Sequence, residues 1–164
     1  MTDAMPQYQV GPTADLVEVR LLDLPLPVHQ RSSEHFDELQ REFALLRVQQ
    51  DDVETPDVPV RLLDLVDALR ERFAGFTTST VQELEQAMDE GRDRVDLVFR
   101  VPPEAADAAR TLGDLLDEAD RFCRRGGALL TLEAPPEALA YRRWYLDEFI
   151  HQIDGGPPRP WTGA

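Results

Sequence analysis

The sequence predicts an α/β fold, in which a small sheet of three or more strands contains a parallel β-α-β unit and about five helices pack around it. Two strand-like apolar runs, Arg94–Val101 and Ala128–Leu132, lie on either side of a strongly amphipathic segment. Each run is followed by a pair of prolines, Pro102-Pro103 and Pro135-Pro136, which favour the first turn of a helix. Because a helical crossover joins parallel strands, the two runs are expected to pair in parallel with right-handed connectivity.

Another strand is predicted near the start of the chain, at Leu16–Leu22. Apolar and charged residues alternate through this segment, as expected when one face of a strand is buried. Pro25 and Pro27 are expected to end the strand, because proline cannot donate to a strand ladder. The sequence does not fix the place of this strand in the sheet.

Two amphipathic helices are predicted in the next part of the chain. The first has Ser32 or Ser33 as its N-cap and extends to about Gln49. An acidic loop follows, and the second helix runs from Pro59 to about Phe73, with proline in its first turn.

A turn is then predicted at Gly75–Ser79, where small and hydroxylated residues cluster. The segment Thr80–Glu83 matches a capping box, in which the first and fourth residues bond each other's backbone N–H groups. It therefore predicts a short helix that ends at Gly91.

The two C-terminal helices have the clearest spacing. Apolar residues recur every three or four positions from Ala105 to Cys123, and two glycines follow. The last helix is expected from Pro136 to Asp154. Its predicted core face consists of Leu139, Leu146, Ile150 and Ile153.

These elements predict one folded unit with an extension at each end. Proline and glycine between Pro6 and Pro12 indicate a flexible leader over residues 1–14. Residues 15–154 are expected to form a single α/β domain, and residues 155–164 a Pro-rich tail. A chain of 164 residues fits one domain.

The charge of the chain argues against two classes of partner. There are 32 acidic and 17 basic residues, which gives a net charge of −15, and all the basic residues are arginine. Phosphate backbones and anionic membranes repel such a chain, so neither nucleic acid nor a membrane is an expected partner. The planar guanidinium groups of arginine are, however, well suited to contacts with carboxylates on another protein.

The compartment is predicted to be the cytoplasm. An export signal has a basic segment followed by an apolar one, and the start of the chain shows neither. Cys123 is the single cysteine and cannot form a disulfide within the chain, which is typical of a reducing environment.

No catalytic, cofactor-binding or metal-binding set is predicted. His29 and His35 are six residues apart, whereas two ligands on one helix face are three or four apart. The acidic run Asp51–Asp57 lacks the central glycine of a calcium loop. Cys123 follows the apolar spacing of its helix and is interpreted as a core residue. The sequence therefore does not decide whether the protein is an enzyme, although it favours a protein without catalytic activity.

Three hydroxylated residues are candidates for phosphorylation. Thr77, Thr78 and Ser79 precede the predicted helix that Thr80 opens. A phosphate there would be stabilised by backbone N–H groups and the helix dipole. The alternative is an unmodified turn, since such turns are rich in serine and threonine.

The most distinctive candidate surface lies on the last helix. Large aromatic residues and arginine are enriched at the centres of protein interfaces. The predicted partner-binding residues are Tyr141, Arg142, Arg143, Trp144, Tyr145 and Trp161. The alternative is that the rings pack within their own domain while the arginines pair with nearby carboxylates. The partner on this surface would be another protein or, as a homodimer, a second copy of the chain.

Two segments carry a resemblance to known proteins. They are HQRSSEHFDELQREFALL at His29–Leu46 and FCRRGGALLTLEAPPEALAYRRWYLDEF at Phe122–Phe149, the latter with a trailing PPRPW. They resemble uncharacterised proteins of high-GC bacteria that occur alongside partner-switching regulators, namely anti-sigma-factor kinases, STAS-domain antagonists and their phosphatases. The resemblance implies a regulatory role by association and supplies no active-site residues.

The predicted function is a non-catalytic cytoplasmic regulatory or protein-interaction module in a signalling or sigma-factor partner switch. The alternative is an enzyme or small-ligand-binding domain. Its pocket would lie at the carboxyl ends of the parallel strands, near Pro102 and Glu133.

Overall fold

The computed structural model describes residues 15–49, 57–125 and 132–163. Over these residues the chain forms two strands and four helices. In chain order they are β1 (Val17–Pro25), α1 (Leu26–Gln49), α2 (Val58–Asp89), β2 (Arg94–Val101), α3 (Ala105–Arg125) and α4 (Pro136–Ile153).

The two strands pair antiparallel, with Val17 opposite Val101 and Leu21 opposite Leu97. An irregularity between Leu21 and Leu24 interrupts the register, and Asp23 lies there with a φ of 53°. Aspartate tolerates this left-handed conformation better than most residues. The odd-numbered residues of β2 are all buried and the even-numbered ones all exposed, so one face of the sheet covers the core.

The predicted fold class is therefore wrong. The described residues are mostly helical and contain a two-stranded antiparallel sheet, not a sheet of three or more strands with a parallel β-α-β unit. The run Arg94–Val101 is a strand, as predicted, but its partner is the N-terminal strand. Of the other run, Ala128–Leu132, only Leu132 lies within the described residues, and it is not in a strand.

The first helix begins at Leu26, directly after β1, and not near Ser32 as predicted. The two prolines explain the difference. Pro25 is the last residue of β1, and Pro27 lies in the first turn of α1, where its missing N–H group has no helical partner to lose. The same residues that stop the strand therefore start the helix.

The predicted turn at Gly75–Ser79 is also wrong, because α2 continues through it to Asp89. The hydroxyls of Thr77 and Thr78 donate to the carbonyl oxygens of Phe73 and Ala74, four residues earlier, as threonine does inside helices. The helix begins as predicted, with the Asp57 carboxylate capping Val58 and proline next in sequence. Thr80 is buried, and its hydroxyl donates to the carbonyl oxygen of Val98 at 2.7 Å, so it joins α2 to β2 and caps no helix.

Two apolar clusters fill the interior. The first, here the sheet core, joins the buried face of the sheet to α2, α4 and the tail; it includes Val19, Leu21, Leu84, Leu97, Phe99, Tyr141, Phe149 and Trp161. The second, the helix core, lies between α1, α2 and α3; it includes Leu39, Phe43, Leu62, Val66, Leu116, Ala119 and Cys123. None of the helices in the described ranges is both long and apolar enough to cross a membrane.

The outer edge of β1 is capped by side-chain and tail atoms. The Gln152 side-chain amide accepts from the Arg20 N–H and donates to the Arg20 carbonyl, each at 2.8 Å. The Leu22 carbonyl accepts a hydrogen bond from the Trp161 backbone N–H at 3.1 Å. An unpaired strand edge invites pairing with another chain, and these contacts block it.

A buried carboxylate fixes the tail in this position. Glu148 is fully buried and accepts from the Gln152 side chain at 2.7 Å, and from the backbone N–H and guanidinium of Arg159 at 3.0 and 2.6 Å. A buried charge is tolerated when it is paired in this way. The tail, residues 155–163, is thus anchored to the rest of the structure through Arg159 and Trp161.

Replacing Trp161 with alanine should therefore lower the free energy of unfolding by about 3 kcal/mol or more, because it removes a buried ring from the sheet core. Urea unfolding measures the loss. The matched control is Arg143→Ala on the exposed side of α4, which should change stability by less than about 0.5 kcal/mol. Equal stability of wild type and Trp161→Ala would show that the tail is not part of the core.

Candidate functional site

A cavity of about 220 Å³ lies between α1, α3 and α4. Most of its wall is apolar. The apolar side chains that the helices contribute are Phe36 and Leu39 from α1, Leu112 and Leu116 from α3, and Ala138 and Leu146 from α4; Ala134, just before α4, also lines the cavity. Residues three or four apart on a helix share a face, so each helix contributes its side chains as one stripe.

One end of the cavity is polar and is organised by His29. Its Nδ1 lies 2.7 Å from the Tyr141 hydroxyl, and its Nε2 lies 3.3 Å from the Ser33 hydroxyl. The His29 and Tyr141 rings also meet edge to face, with centroids 5.8 Å apart. In a neutral imidazole one nitrogen donates and the other accepts, and either arrangement satisfies both contacts.

These groups are held in their neutral forms. Burial lowers the pKa of His29. Burial raises the pKa of Tyr141, and the coulombic effect of Tyr145 raises it further. Burial also raises the pKa of Tyr145, which lines the same cavity, to about 12. At neutral pH this end of the cavity therefore offers hydrogen bonds without net charge.

His35 contributes a polar atom of a different kind. It lies six residues, or about one and two-thirds turns, after His29 on α1 and lines the same cavity. Its Nε2 is buried and has no hydrogen-bond partner among the described residues. Buried polar atoms are nearly always paired, so this enclosed and unpaired nitrogen is an exception within the described residues.

A salt bridge forms another part of the wall. Arg142 contacts Asp117 and Asp120 at 2.8 Å each, and only 16% of the arginine side chain and 7% of the Asp120 side chain are exposed. Asp120 also accepts a hydrogen bond from the Ala134 backbone N–H at 3.2 Å. One guanidinium thus faces two carboxylates and has no spare positive charge for an anion.

The predicted partner surface is largely internal. Tyr141 is 4% exposed and Trp161 6%, with ring centroids 5.9 Å apart. Trp144 is half-buried against Trp161 and donates from its indole N–H to the Arg159 carbonyl at 2.8 Å. The alternative interpretation, rings packed within their own domain, therefore describes these three residues. Arg142 and Tyr145 are half-buried, and of the six predicted residues Arg143 alone is exposed.

The predicted core face of α4 is correct in part. Leu146, Ile150 and Ile153 are half-buried and pack against the sheet core, and Leu139 is half-buried. The buried residues of α4 include Tyr141, Glu148 and Gln152, which were not predicted as its core face. The apolar residues favoured one face, but the hydrogen bonds of Glu148 and Gln152 to the tail and to β1 turn another face inward.

The hypothesis of a phosphosite loses its original support. Thr77, Thr78 and Ser79 lie within α2, so no helix N-terminus is present there to stabilise a phosphate. They are not among the residues that line the cavity. Phosphorylation of these three residues stays a prediction.

The other chemical candidates are placed as follows. Cys123 is buried in the helix core, and burial, Asp120 and Glu133 together raise the pKa of its thiol to about 11. Within the described ranges, no three His, Cys, Asp or Glu side chains lie together as a metal site would require. The acidic run at residues 51–56 is outside those ranges.

The position predicted for a pocket is wrong. It was expected at the carboxyl ends of parallel strands, near Pro102 and Glu133, but the strands are antiparallel. Glu133 pairs instead with Arg124 at 2.8 Å. The cavity lies between helices, another common place for a ligand site.

Sequence reasoning missed the two histidines of the cavity because it considered them only for metal binding or acid–base chemistry. A usable signal was present. Ser33 follows His29 by four residues, and Phe36 and Leu39 continue the same helix, so a polar end next to an apolar stripe could have been read from α1.

Comparison with known protein families, with curated proteins and with solved structures finds no match to this chain.

The burial of His29 predicts a specific pH dependence. The unfolded chain protonates a histidine near pH 6.5, whereas folded His29 protonates at lower pH. Between these two values the unfolded state binds more protons, so the free energy of unfolding should fall as the pH drops below about 6.5.

The effect can be isolated with His29→Gln, which keeps a polar side chain but cannot titrate. Urea unfolding of both proteins at pH 7.5 and pH 5 should show a smaller loss of stability in the variant, because the variant lacks the titrating imidazole. The carboxylates titrate in both proteins, so the difference between the two losses reports the contribution of His29. Parallel stability profiles would contradict a lowered His29 pKa.

Proposed function

We propose that this protein is a non-catalytic regulatory module that binds a small molecule in the cavity between α1, α3 and α4. One observation carries the proposal: a mostly apolar cavity whose lining also includes a few polar side chains, among them His29, Ser33 and Tyr141. This combination is characteristic of small-molecule sites, in which apolar walls supply affinity and a few polar groups fix orientation.

The size of the cavity limits the ligand. At about 220 Å³ it is smaller than the roughly 300–1,000 Å³ typical of sites for drug-sized molecules. We therefore expect a compact ligand with one ring or a short branched chain.

The chemistry of the polar end supports binding over catalysis. A serine next to a histidine suggests acyl transfer, but such a histidine normally has a carboxylate that stabilises its protonated form. The second partner of His29 is the Tyr141 phenol, whose pKa is raised, and burial disfavours the imidazolium. The chain from Ser33 through His29 to Tyr141 therefore suits neutral hydrogen bonding.

A protein partner remains part of the proposal, as the resemblance to partner-switching systems implies. Arg143 is 62% exposed and adjacent in sequence to Arg142, which lines the cavity. A partner that contacts α4 at this position could therefore sense whether the cavity is occupied. The lone buried thiol of Cys123 fits the cytoplasmic location that we propose with it, and the net charge of −15 argues against nucleic acid as the partner.

Filling the cavity tests the proposal. Leu112 is half-buried and lines the cavity, so Leu112→Phe should occupy part of the space while α3 keeps its helical structure. In ligand-observed NMR with a set of one-ring fragments, we expect several to bind wild type in competition with one another and to lose binding in the variant.

The matched control is Leu45→Phe on the exposed side of α1, where the side chain is 60% exposed and does not line the cavity. It should bind the fragments as wild type does. Absence of any fragment binding to wild type, or unchanged binding to a folded Leu112→Phe protein, would overturn the proposal.

A further inference from the structure

Building on the proposed function, we infer that the cavity binds a compact, mostly apolar molecule with a neutral carbonyl group, whose oxygen accepts a hydrogen bond from the Tyr145 hydroxyl. Tyr145 belongs to α4 and lines the cavity. Its hydroxyl selects the polar group of the ligand, while the apolar wall provides most of the affinity.

The Tyr145 hydroxyl is available to a ligand. The neighbouring hydroxyls of Tyr141 and Ser33 both lie within hydrogen-bond distance of His29. The Tyr145 hydroxyl, in contrast, has no hydrogen-bond partner among the described residues. It is not enclosed either, because the one enclosed and unpaired side-chain nitrogen or oxygen in those residues is His35 Nε2. Since Tyr145 is half-buried, its hydroxyl combines an unmet hydrogen bond with accessible surface.

The free hydroxyl lies at the polar end of the cavity. The Tyr145 ring stacks on Phe149, with centroids 5.6 Å apart, and its centroid lies 6.0 Å from that of Tyr141. The coulombic effect of Tyr145 on the pKa of Tyr141 indicates that the two hydroxyls are close. Because the Tyr141 hydroxyl contacts His29 in the cavity wall, the Tyr145 hydroxyl lies beside that contact.

This hydroxyl is a hydrogen-bond donor at neutral pH. Burial raises the pKa of Tyr145 to about 12, so the phenol keeps its proton. A molecule that fills the cavity would exclude water from the hydroxyl, and an unpaired proton there would be unfavourable. The ligand therefore has to supply an acceptor.

The number of protons favours a carbonyl group over an alcohol. A carbonyl oxygen brings no proton of its own, so one hydrogen bond from Tyr145 satisfies both partners. An alcohol brings a second proton, and the pair is then left with one proton that needs a third group to accept it. A ketone, aldehyde or ester avoids this cost.

Charge separates the carbonyl group from ionised alternatives. Asp117 and Asp120 share the Arg142 guanidinium at 2.8 Å each, so this salt bridge carries an excess of negative charge. The excess disfavours a carboxylate ligand, although a carboxylate could accept from Tyr145. It favours an amine, but an ammonium group can only donate and would leave the Tyr145 proton unpaired. An amine is therefore the main competing class.

Probes that share one shape separate these classes. Each has a benzene ring with a short carbon substituent: acetophenone carries a ketone, 1-phenylethanol a hydroxyl, 1-phenylethylamine an ammonium group, and ethylbenzene no polar group. In NMR titrations of the full chain at pH 7, acetophenone should bind about three to ten times more tightly than ethylbenzene, because one hydrogen bond gives a change of this size. The alcohol and the amine should each bind at least about three times more weakly than acetophenone.

Tyr145→Phe connects the preference to the hydroxyl. The variant keeps the ring on Phe149 and loses no hydrogen bond to the described residues, so its urea unfolding midpoint should match that of wild type. Acetophenone should bind the variant about three to ten times more weakly, while ethylbenzene binds as before. The infrared C=O stretch of bound acetophenone should also move to higher frequency, because the hydrogen bond that weakens the C=O bond is lost.

Ser32→Ala is the matched control. Ser32 also lines the cavity, and its hydroxyl likewise has no partner in the described part of the chain. This variant should keep the preference for acetophenone over ethylbenzene. Loss of the preference in Ser32→Ala, with its retention in Tyr145→Phe, would assign the contact to Ser32 and overturn the role of Tyr145.

The other outcomes are also decisive. Tightest binding of the amine or the alcohol to wild type would overturn the carbonyl class while leaving a binding cavity in place. Equal binding of acetophenone and ethylbenzene to wild type would overturn the role of the Tyr145 hydroxyl. If none of the probes binds, the proposed function itself fails, and the inference fails with it.

Discussion

The packing of Tyr141 is the constraint on which the rest of the structure depends. On one side its hydroxyl meets His29 of α1, and on the other its ring meets Trp161 of the tail. One side chain thus joins the wall of the cavity to the sheet core. Because the ring is 4% exposed, neither contact can be lost without exposing a large apolar surface or leaving a buried polar group unpaired.

The two-stranded sheet makes the C-terminal segment necessary. A two-stranded ribbon has two free edges and is marginal by itself, so it needs packing on one face and protection at its edges. Gln152 and Trp161 protect β1, while Thr80 bonds the carbonyl of Val98 on β2. The helices and the tail together thus supply the packing and the edge protection that additional strands would supply in a larger sheet.

Local patterns in the sequence predicted individual elements better than their assembly. The alternation in Arg94–Val101 and the spacing of α3 reflect burial of one face, so they could be recognised without the fold. The turn at Gly75–Ser79 was wrong because α2 continues through these mostly exposed residues. The helix is held on either side of them, by Phe73 against the sheet core and by the buried Thr80, which bonds Val98. Strand pairing could not be predicted, since β1 and β2 are far apart in sequence and nothing local specifies their partner. The cavity was missed for the same reason, because His35 and Tyr141 lie on different helices.

Hydrogen exchange of the tail gives the most direct test of the central claim, that the aromatic residues of α4 and the tail form an internal core that supports the cavity. Amide exchange of the full chain should be measured by NMR for the Trp161 backbone N–H, which bonds the Leu22 carbonyl, and for the Arg20 N–H, which bonds Gln152. We expect both to exchange as slowly as the amides that pair β1 with β2, because the same cooperative unit protects them. Exchange of the Trp161 N–H at the rate of an unstructured peptide, with the strand amides still protected, would contradict the account.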